Sequence, residues 1–253
     1  MTNNTGDYTK HAQYWDWSGH DRSPEDEYWY NYAKRYGSNV LIPMCAWGET
    51  GAYMAKNGMN VTAFDITPEM IAEGKKRFGY VSGLRLLVGD ATDFNFDIPP
   101  VDFCYSVDFE FLHTIMDIKK AFRCIYKHMR DGGGLVIEAF LPPEESHSWP
   151  LQTYMPFKQI YPGKKMWKTG SGHNEAETGR RYISQTFYIE NENGDTESFD
   201  HSFYLQCYSR DEWLTAFKES GFDVVSEYKN REGVSWKSGG DSFLMMEAIK
   251  VSR

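Results

Sequence analysis

The sequence predicts an α/β fold: a doubly wound, seven-stranded, mostly parallel sheet with an antiparallel β-hairpin inserted as a lid after the fifth strand. Three observations carry this. Strand and helix signals alternate from residue 39 onward, the alternation breaks over residues 141–208, and it then resumes to the C-terminus. Repeated βα units imply a parallel sheet, because parallel neighbours need crossover connections and the crossing helices cover both faces. The 253 residues contain no Pro/Gly/Ser-rich linker, so they are read as one domain, 1–253, with an aromatic N-terminal segment 1–36 and an inserted subdomain 141–208.

Val40-Leu41-Ile42 is a short apolar run closed by Pro43, the signature of a buried first strand. Gly48 to Asn57 carries apolar residues at helical spacing and stops at Gly58. Asn60 to Asp65 is the second strand, and Thr67-Pro68-Glu69 opens the next helix with a residue suited to the N-cap and a proline at the first helical position. Leu84 to Val88 and Val101 to Val107 are the third and fourth strands. Asp117 to Met129 is an amphipathic helix, and Asp131-Gly132-Gly133-Gly134 turns into a fifth strand, Leu135 to Phe140. Residues 141–177 show little periodicity, whereas Arg180 to Glu190 and Thr196 to Tyr208 read as a hairpin joined by an Asn/Gly-rich turn. Ser209 to Glu212 starts a capped helix, and Phe222 to Tyr228 and Phe243 to Lys250 close the sheet.

Composition narrows the function classes. The net charge is −9 with acidic and basic residues mixed, which argues against a nucleic-acid groove needing a basic stripe. No apolar run approaches the roughly 18 residues of a membrane span, and the N-terminus lacks the apolar core of a secretory signal. The four cysteines are widely spaced, so no metal site is expected; they are read as reduced thiols of a cytoplasmic protein. Nothing in the sequence indicates an oligomeric state.

Ligands of an open parallel sheet sit beyond the carboxyl ends of its strands, near the switch in strand order. Two features mark that edge: the turn Pro43 to Glu49, and Asp65 at the end of the second strand, placed to accept both hydroxyls of a ribose. The turn lacks GxGxxG, and Met44 and Trp47 would hinder the close backbone approach of a pyrophosphate. A nucleoside without phosphates is therefore favoured over a dinucleotide.

These segments resemble a known family. Val40 to Glu49 resembles the first motif of the class I S-adenosylmethionine (SAM)-dependent methyltransferases, a hydrophobic strand followed by a cysteine-containing glycine turn. Phe64 to Met70 is similar to their acidic second motif, and Val88-Gly89-Asp90-Ala91 to the loop that flanks the adenine. The resemblance covers about residues 39–140 and resumes over 209–250. It implies a Rossmann-like fold, SAM as cofactor and S-adenosylhomocysteine as product. The implied cofactor-binding residues are Tyr14, Met44, Cys45, Ala46, Gly48, Asp65, Ile66, Met70, Gly89, Asp90, Ala91, Ser106 and Val107. Ala46 stands where the family usually has glycine, Met44 where it often has another, and Ile42 replaces a common acid. If the Ala46 methyl crowds the cofactor, Ala46→Gly is expected to tighten SAM binding without improving stability.

The segment after the fourth strand should face the transferred methyl group. His113 is the candidate base, because its ordinary pKa allows proton transfer near neutrality. Asp108 is the second catalytic candidate; with Glu110 it could orient or deprotonate an amine. The N-terminal aromatics allow two readings. Tyr28, Tyr32 and Tyr36, at i, i+4 spacing, form one packed helix face, or the segment is a lid whose rings shield a cationic centre. The insertion supplies the opposite wall of a small-molecule site, an arrangement similar to family members acting on small amines and sugars. Nitrogen is the favoured acceptor and a hydroxyl the second. A catalytically inactive SAM-binding regulator is the alternative from the unusual turn, and an NAD-dependent oxidoreductase is disfavoured by the missing glycines.

Overall fold

A computed structural model describes residues 8–237 and 242–252. Residues 1–7 of the expected N-terminal lid lie outside the described residues.

The sheet is built from β1 (Asn39–Pro43), β2 (Asn60–Asp65), β3 (Leu84–Val88), β4 (Val101–Ser106), β5 (Met129–Phe140), β10 (Phe222–Tyr228) and β11 (Phe243–Lys250), in the order β10-β11-β5-β4-β1-β2-β3. The five strands β5, β4, β1, β2 and β3 run parallel, and β11 pairs antiparallel with both β5 and β10. The order switches between β1 and β4, which opens a crevice at their carboxyl ends.

Alternation along each strand divides the core into two layers. Leu41, Cys104, Leu135, Ile137, Leu244 and Met246 face α5 (Ile115–His128) and α6 (Arg210–Glu219), packing on Phe122, Trp213 and Phe217. Val40, Ile42, Phe103, Tyr105, Val136 and Met245 face α2 (Ser23–Ala33), α3 (Glu49–Lys56) and α4 (Pro68–Phe78). Thr114 caps α5 by accepting the Asp117 N–H, and Ser209 with Glu212 forms a reciprocal capping box on α6.

The N-terminal aromatics split into two groups. Those from α2 onward are core: Trp29 stacks on Tyr105 at 4.2 Å between ring centroids, and Tyr32 and Tyr36 stack on Phe103. Ionic contacts fix the same helix: Arg231 bridges Glu138 and Glu25, and Arg35 reaches the buried Glu247 at 2.9 Å. The earlier residues, α1 (Tyr8–His11) and the 3₁₀ turn Ala12–Tyr14, lie instead against α4 and the insertion.

The insertion is larger than the expected hairpin. It is a four-stranded antiparallel sheet in the order β6 (His147–Tyr154), β7 (Lys164–Glu175), β8 (Arg180–Asn191), β9 (Thr196–Gln206). Residues 147–154 and 164–175, read from sequence as irregular, are strands. β6 is an edge strand with seven of its eight residues exposed, so it carries no apolar alternation to be read.

Candidate active site

The turn between β1 and α3 is held to β2 by backbone and side chain. Cys45 N–H donates to the Phe64 carbonyl, and Asp65 accepts from the N–H groups of Ala46 and Thr67, each at 2.9 Å. Each Asp65 oxygen thus has one backbone donor and a second lone pair left for a hydroxyl. Met44 and Ala46 have φ of 57° and 50°, the left-handed region that L side chains enter at a cost of roughly 1–2 kcal/mol.

Two adjoining cavities open on this turn. One, of about 230 Å³, is lined by Met44, Ala46, Asp65, Ile66 and Met70, together with Tyr8, Trp15, Phe111 and Leu112. Ile66 is 66% exposed, an apolar face beside a hydroxyl-accepting carboxylate. The other, about 200 Å³, is lined by Cys45, Gly48, Ser106 and Val107 and ends at Arg22, Glu25 and Glu49. The Arg22 Nε is buried without a hydrogen bond, and its guanidinium stands 3.7 Å from Glu49 and 3.8 Å from Glu25 at the end of this cleft. Burial raises the pKa of Glu49. Carboxyls at Asp65, Glu49 and Asp108 make the crevice hostile to a pyrophosphate, while a ribose, an apolar base and an amino-acid tail each find a partner. The residues present fit SAM.

A third cavity, about 290 Å³, lies between the crevice and the inserted sheet. Its walls are Tyr8, Trp15, Phe111, Phe140, Ile183 and Phe203, and its polar groups are Asp108, Glu110, His11, Gln185 and His201. Tyr8, Trp15, Phe111 and Asp108 border both this chamber and the cavity at Asp65. Burial, and then the Asp65 charge, push the Asp108 carboxyl up to about 7. Burial likewise pushes Glu110 up to about 8, although it accepts the Phe140 N–H at 2.7 Å. His11 goes the other way, down to about 3 through burial and the neighbouring His201. Near neutral pH this apolar box therefore keeps His11 neutral and Glu110 largely protonated, and leaves Asp108 close to its titration midpoint.

Other residues expected at the site do not line these three cavities. His113 Nε2 lies 3.1 Å from the Tyr204 carbonyl and its ring stacks on Tyr204 at 3.8 Å, outside the lining of all three cavities. Tyr14 stands against Tyr161 and Phe199 of the insertion and accepts from Lys164. Gly89 N–H donates to the Asp65 carbonyl, Asp90 caps the Thr92 N–H, and Ala91 is buried in the core. Sequence reasoning missed Tyr8, His11, Arg22 and His201. Among the described residues no three His, Cys, Asp or Glu side chains group as a metal site.

Trp47 turns away from the cavities. It is fully buried, donates from Nε1 to the Ala12 carbonyl at 2.7 Å, and carries the Arg77 guanidinium 3.7 Å over its ring. A Cβ at Gly74 would stand 2.3 Å from the Trp47 carbonyl, so only glycine lets α4 approach so closely. The bulky residue in this turn is thus the post to which the N-terminal segment is tied, directly over the crevice.

The φ of Ala46 corrects one expectation. Replacing Ala46 with glycine relieves a left-handed alanine, so the variant should gain on the order of 1 kcal/mol in stability after the extra unfolded-state entropy of glycine is set against it. A denaturant midpoint equal to or below that of the parent would show that the turn carries no such strain.

Comparison with known proteins agrees with this geometry. Residues 40–133 match the family model of the methyltransferase domain. A SAM-dependent methyltransferase from Clostridium acetobutylicum aligns at 14% identity with a TM-score of 0.76, over 97% of this chain and 99% of its own. The sugar N-methyltransferase KedS8 from Streptoalloteichus sp. aligns at 14% identity and a TM-score of 0.76, over 96% and 93%. The SAM-bound amino pentose methyltransferase CalS10 from Micromonospora echinaspora aligns at 16% identity and 0.68, over 97% and 92%. Comparison with curated protein sequences finds no match. Residues 40–133 carry a methyltransferase domain, and the chain as a whole has the fold of these SAM-dependent methyltransferases.

Proposed function

We propose that the chain transfers a methyl group from SAM to the nitrogen of a small amine held in the 290 Å³ chamber. The observation that carries this is Asp108: a half-buried carboxyl, pushed up to about 7, that lines the acceptor chamber and both cofactor cavities. Bound SAM supplies an electrophilic methyl on a sulfonium, and S-adenosylhomocysteine leaves. Asp65 would hold the ribose, Ile66 and Met70 would flank the base, and Arg22 would receive the carboxylate of the amino-acid tail. An amine enters as an ammonium ion and has no lone pair to offer. Asp108 takes its proton, and the freed nitrogen is then ready to accept the methyl group that SAM would supply. Tyr8 and Trp15 close the junction against water and turn ring faces toward the positive charge. In this assignment His113 positions Tyr204 rather than acting as the base, and the lid is the segment 8–22.

The sugar-nitrogen and amino-pentose descriptions of two proteins with this fold agree with an amine acceptor. Four free cysteines, and no helix long and apolar enough to cross a membrane among the described residues, support a cytoplasmic site of action. The test is a release assay for S-adenosylhomocysteine with small amines and their matching alcohols. Amines should turn over at least about tenfold faster, since a base of this strength suits an ammonium far better than a hydroxyl. Turnover of alcohols alone, or SAM bound with no turnover of any amine, would sink the proposal.

A further inference from the structure

The inserted sheet covers a second chamber, about 740 Å³, that meets the acceptor chamber at Ile183. Its polar groups form one row across three strands: His147 lies opposite Asn174, and Asn174 opposite Arg181. Residues paired in this way project from the same face of a sheet. Asn174 is 6% exposed; its Nδ2 lies 3.2 Å from His147 Nε2, but its Oδ1 has no partner. Arg181 Nε is also buried and without a hydrogen bond, and no ion pair within 4.0 Å involves this guanidinium among the described residues. The guanidinium lies 4.4 Å over the ring of Phe140, which itself lines the acceptor chamber. A Cβ at Gly172 would meet the Trp149 ring at 2.3 Å, so the bare glycine lets that indole lie across β7 as the wall of the outer chamber.

A half-buried guanidinium without a counter-ion, next to an acceptor oxygen without a donor, is costly unless a ligand completes both. We propose that the outer chamber is a carboxylate subsite and that the acceptor is an amine bearing an acid group. The amine lies beside Asp108, the carboxylate on Arg181, and Asn174 accepts an N–H or O–H next to the acid. A carboxylate matches the planar fork of arginine. A phosphate dianion fits less well, because one guanidinium faces it and Glu144 and Glu145 line the same chamber. The inference rests on the amine reading for one end of the acceptor only.

The test uses the whole chain saturated with S-adenosylhomocysteine and calorimetric titration with hexanoate, hexanol, hexylamine and ε-aminocaproate. Hexanoate should bind roughly tenfold or more tighter than hexanol, the scale of a charge-assisted hydrogen bond, and ε-aminocaproate tighter than hexylamine. Arg181→Gln should erase both preferences while binding of hexylamine and of S-adenosylhomocysteine stays as in the parent. Equal binding of hexanoate and hexanol by the parent, or a preference that survives in Arg181→Gln, overturns the subsite. Should that variant not fold, Arg181→Met serves as the uncharged replacement, and the parent's hexanoate-to-hexanol ratio decides by itself. Hexylamine bound without hexanoate overturns the subsite alone. Hexanoate bound without hexylamine supports the subsite and overturns the amine reading.

Discussion

Asp108→Asn is expected to lower turnover roughly 10²-fold or more, the usual contribution of a positioned base, with SAM affinity changed little. The pH profile separates this from a packing defect. With its carboxyl pushed up to about 7, Asp108 works in its ionised form, so turnover should climb with pH and level off above about 7. That limb should vanish in the asparagine variant. Stability runs the opposite way. In the folded chain Asp108 keeps a proton that the unfolded chain has released, from the unfolded pKa of about 3.9 upward. Its contribution to stability therefore falls as pH rises from there through about 7. Asparagine removes that cost, so the variant should melt higher than the parent at pH 8 while being far slower. Unchanged turnover, or a lower melting temperature at pH 8, would take Asp108 out of the role of half-buried base.

Much of the architecture was legible because it repeats a local pattern. Val40-Leu41-Ile42, Val61 to Phe64 and Leu135 to Ile137 are short, apolar and evenly separated by helical signals, and each became a central strand. The meeting of Asp65 with the turn at 43–49 was legible because they are neighbours through β1–β2 pairing. The acceptor chamber was not. Tyr8, His11, Phe140, Ile183 and His201 meet across long stretches of chain, and their partners depend on how the insertion folds over the crevice. No periodicity marks them. The insertion was half legible: the twelve-residue β8 and eleven-residue β9 announce themselves as a hairpin, whereas β7 is interrupted by Gly170 and Gly172 and β6 is exposed. The positive φ of Ala46 and the tie from Trp47 to Ala12 could not be read either. Sequence shows an unusual residue, not the conformation that accommodates it.

Asp65→Ala should weaken SAM binding by roughly 1–3 kcal/mol, five- to about 150-fold in dissociation constant, as hydrogen bonds to a charged group are lost. The structure adds a second effect. The carboxylate also accepts the N–H groups of Ala46 and Thr67, so alanine leaves two backbone donors without their partner at the crevice floor. The N–H of Ala46 sits on a residue already held at φ 50°, where the backbone has least reason to stay once the tie is cut. The variant should therefore melt lower than the parent without ligand, and Asp65→Asn should fall between, since its one remaining oxygen can keep a single bond. Calorimetry with S-adenosylhomocysteine measures the binding loss in protein confirmed to be folded. Combining Asp65→Ala with Ala46→Gly separates the two effects. Glycine should recover part of the melting temperature, because it relaxes the turn, and none of the affinity, because it supplies no acceptor for the ribose. Recovery of affinity by glycine would mean that Asp65 acts on the cofactor through the shape of the turn and not by direct contact. An affinity unchanged by Asp65→Ala in folded protein would remove the residue from the cofactor site altogether.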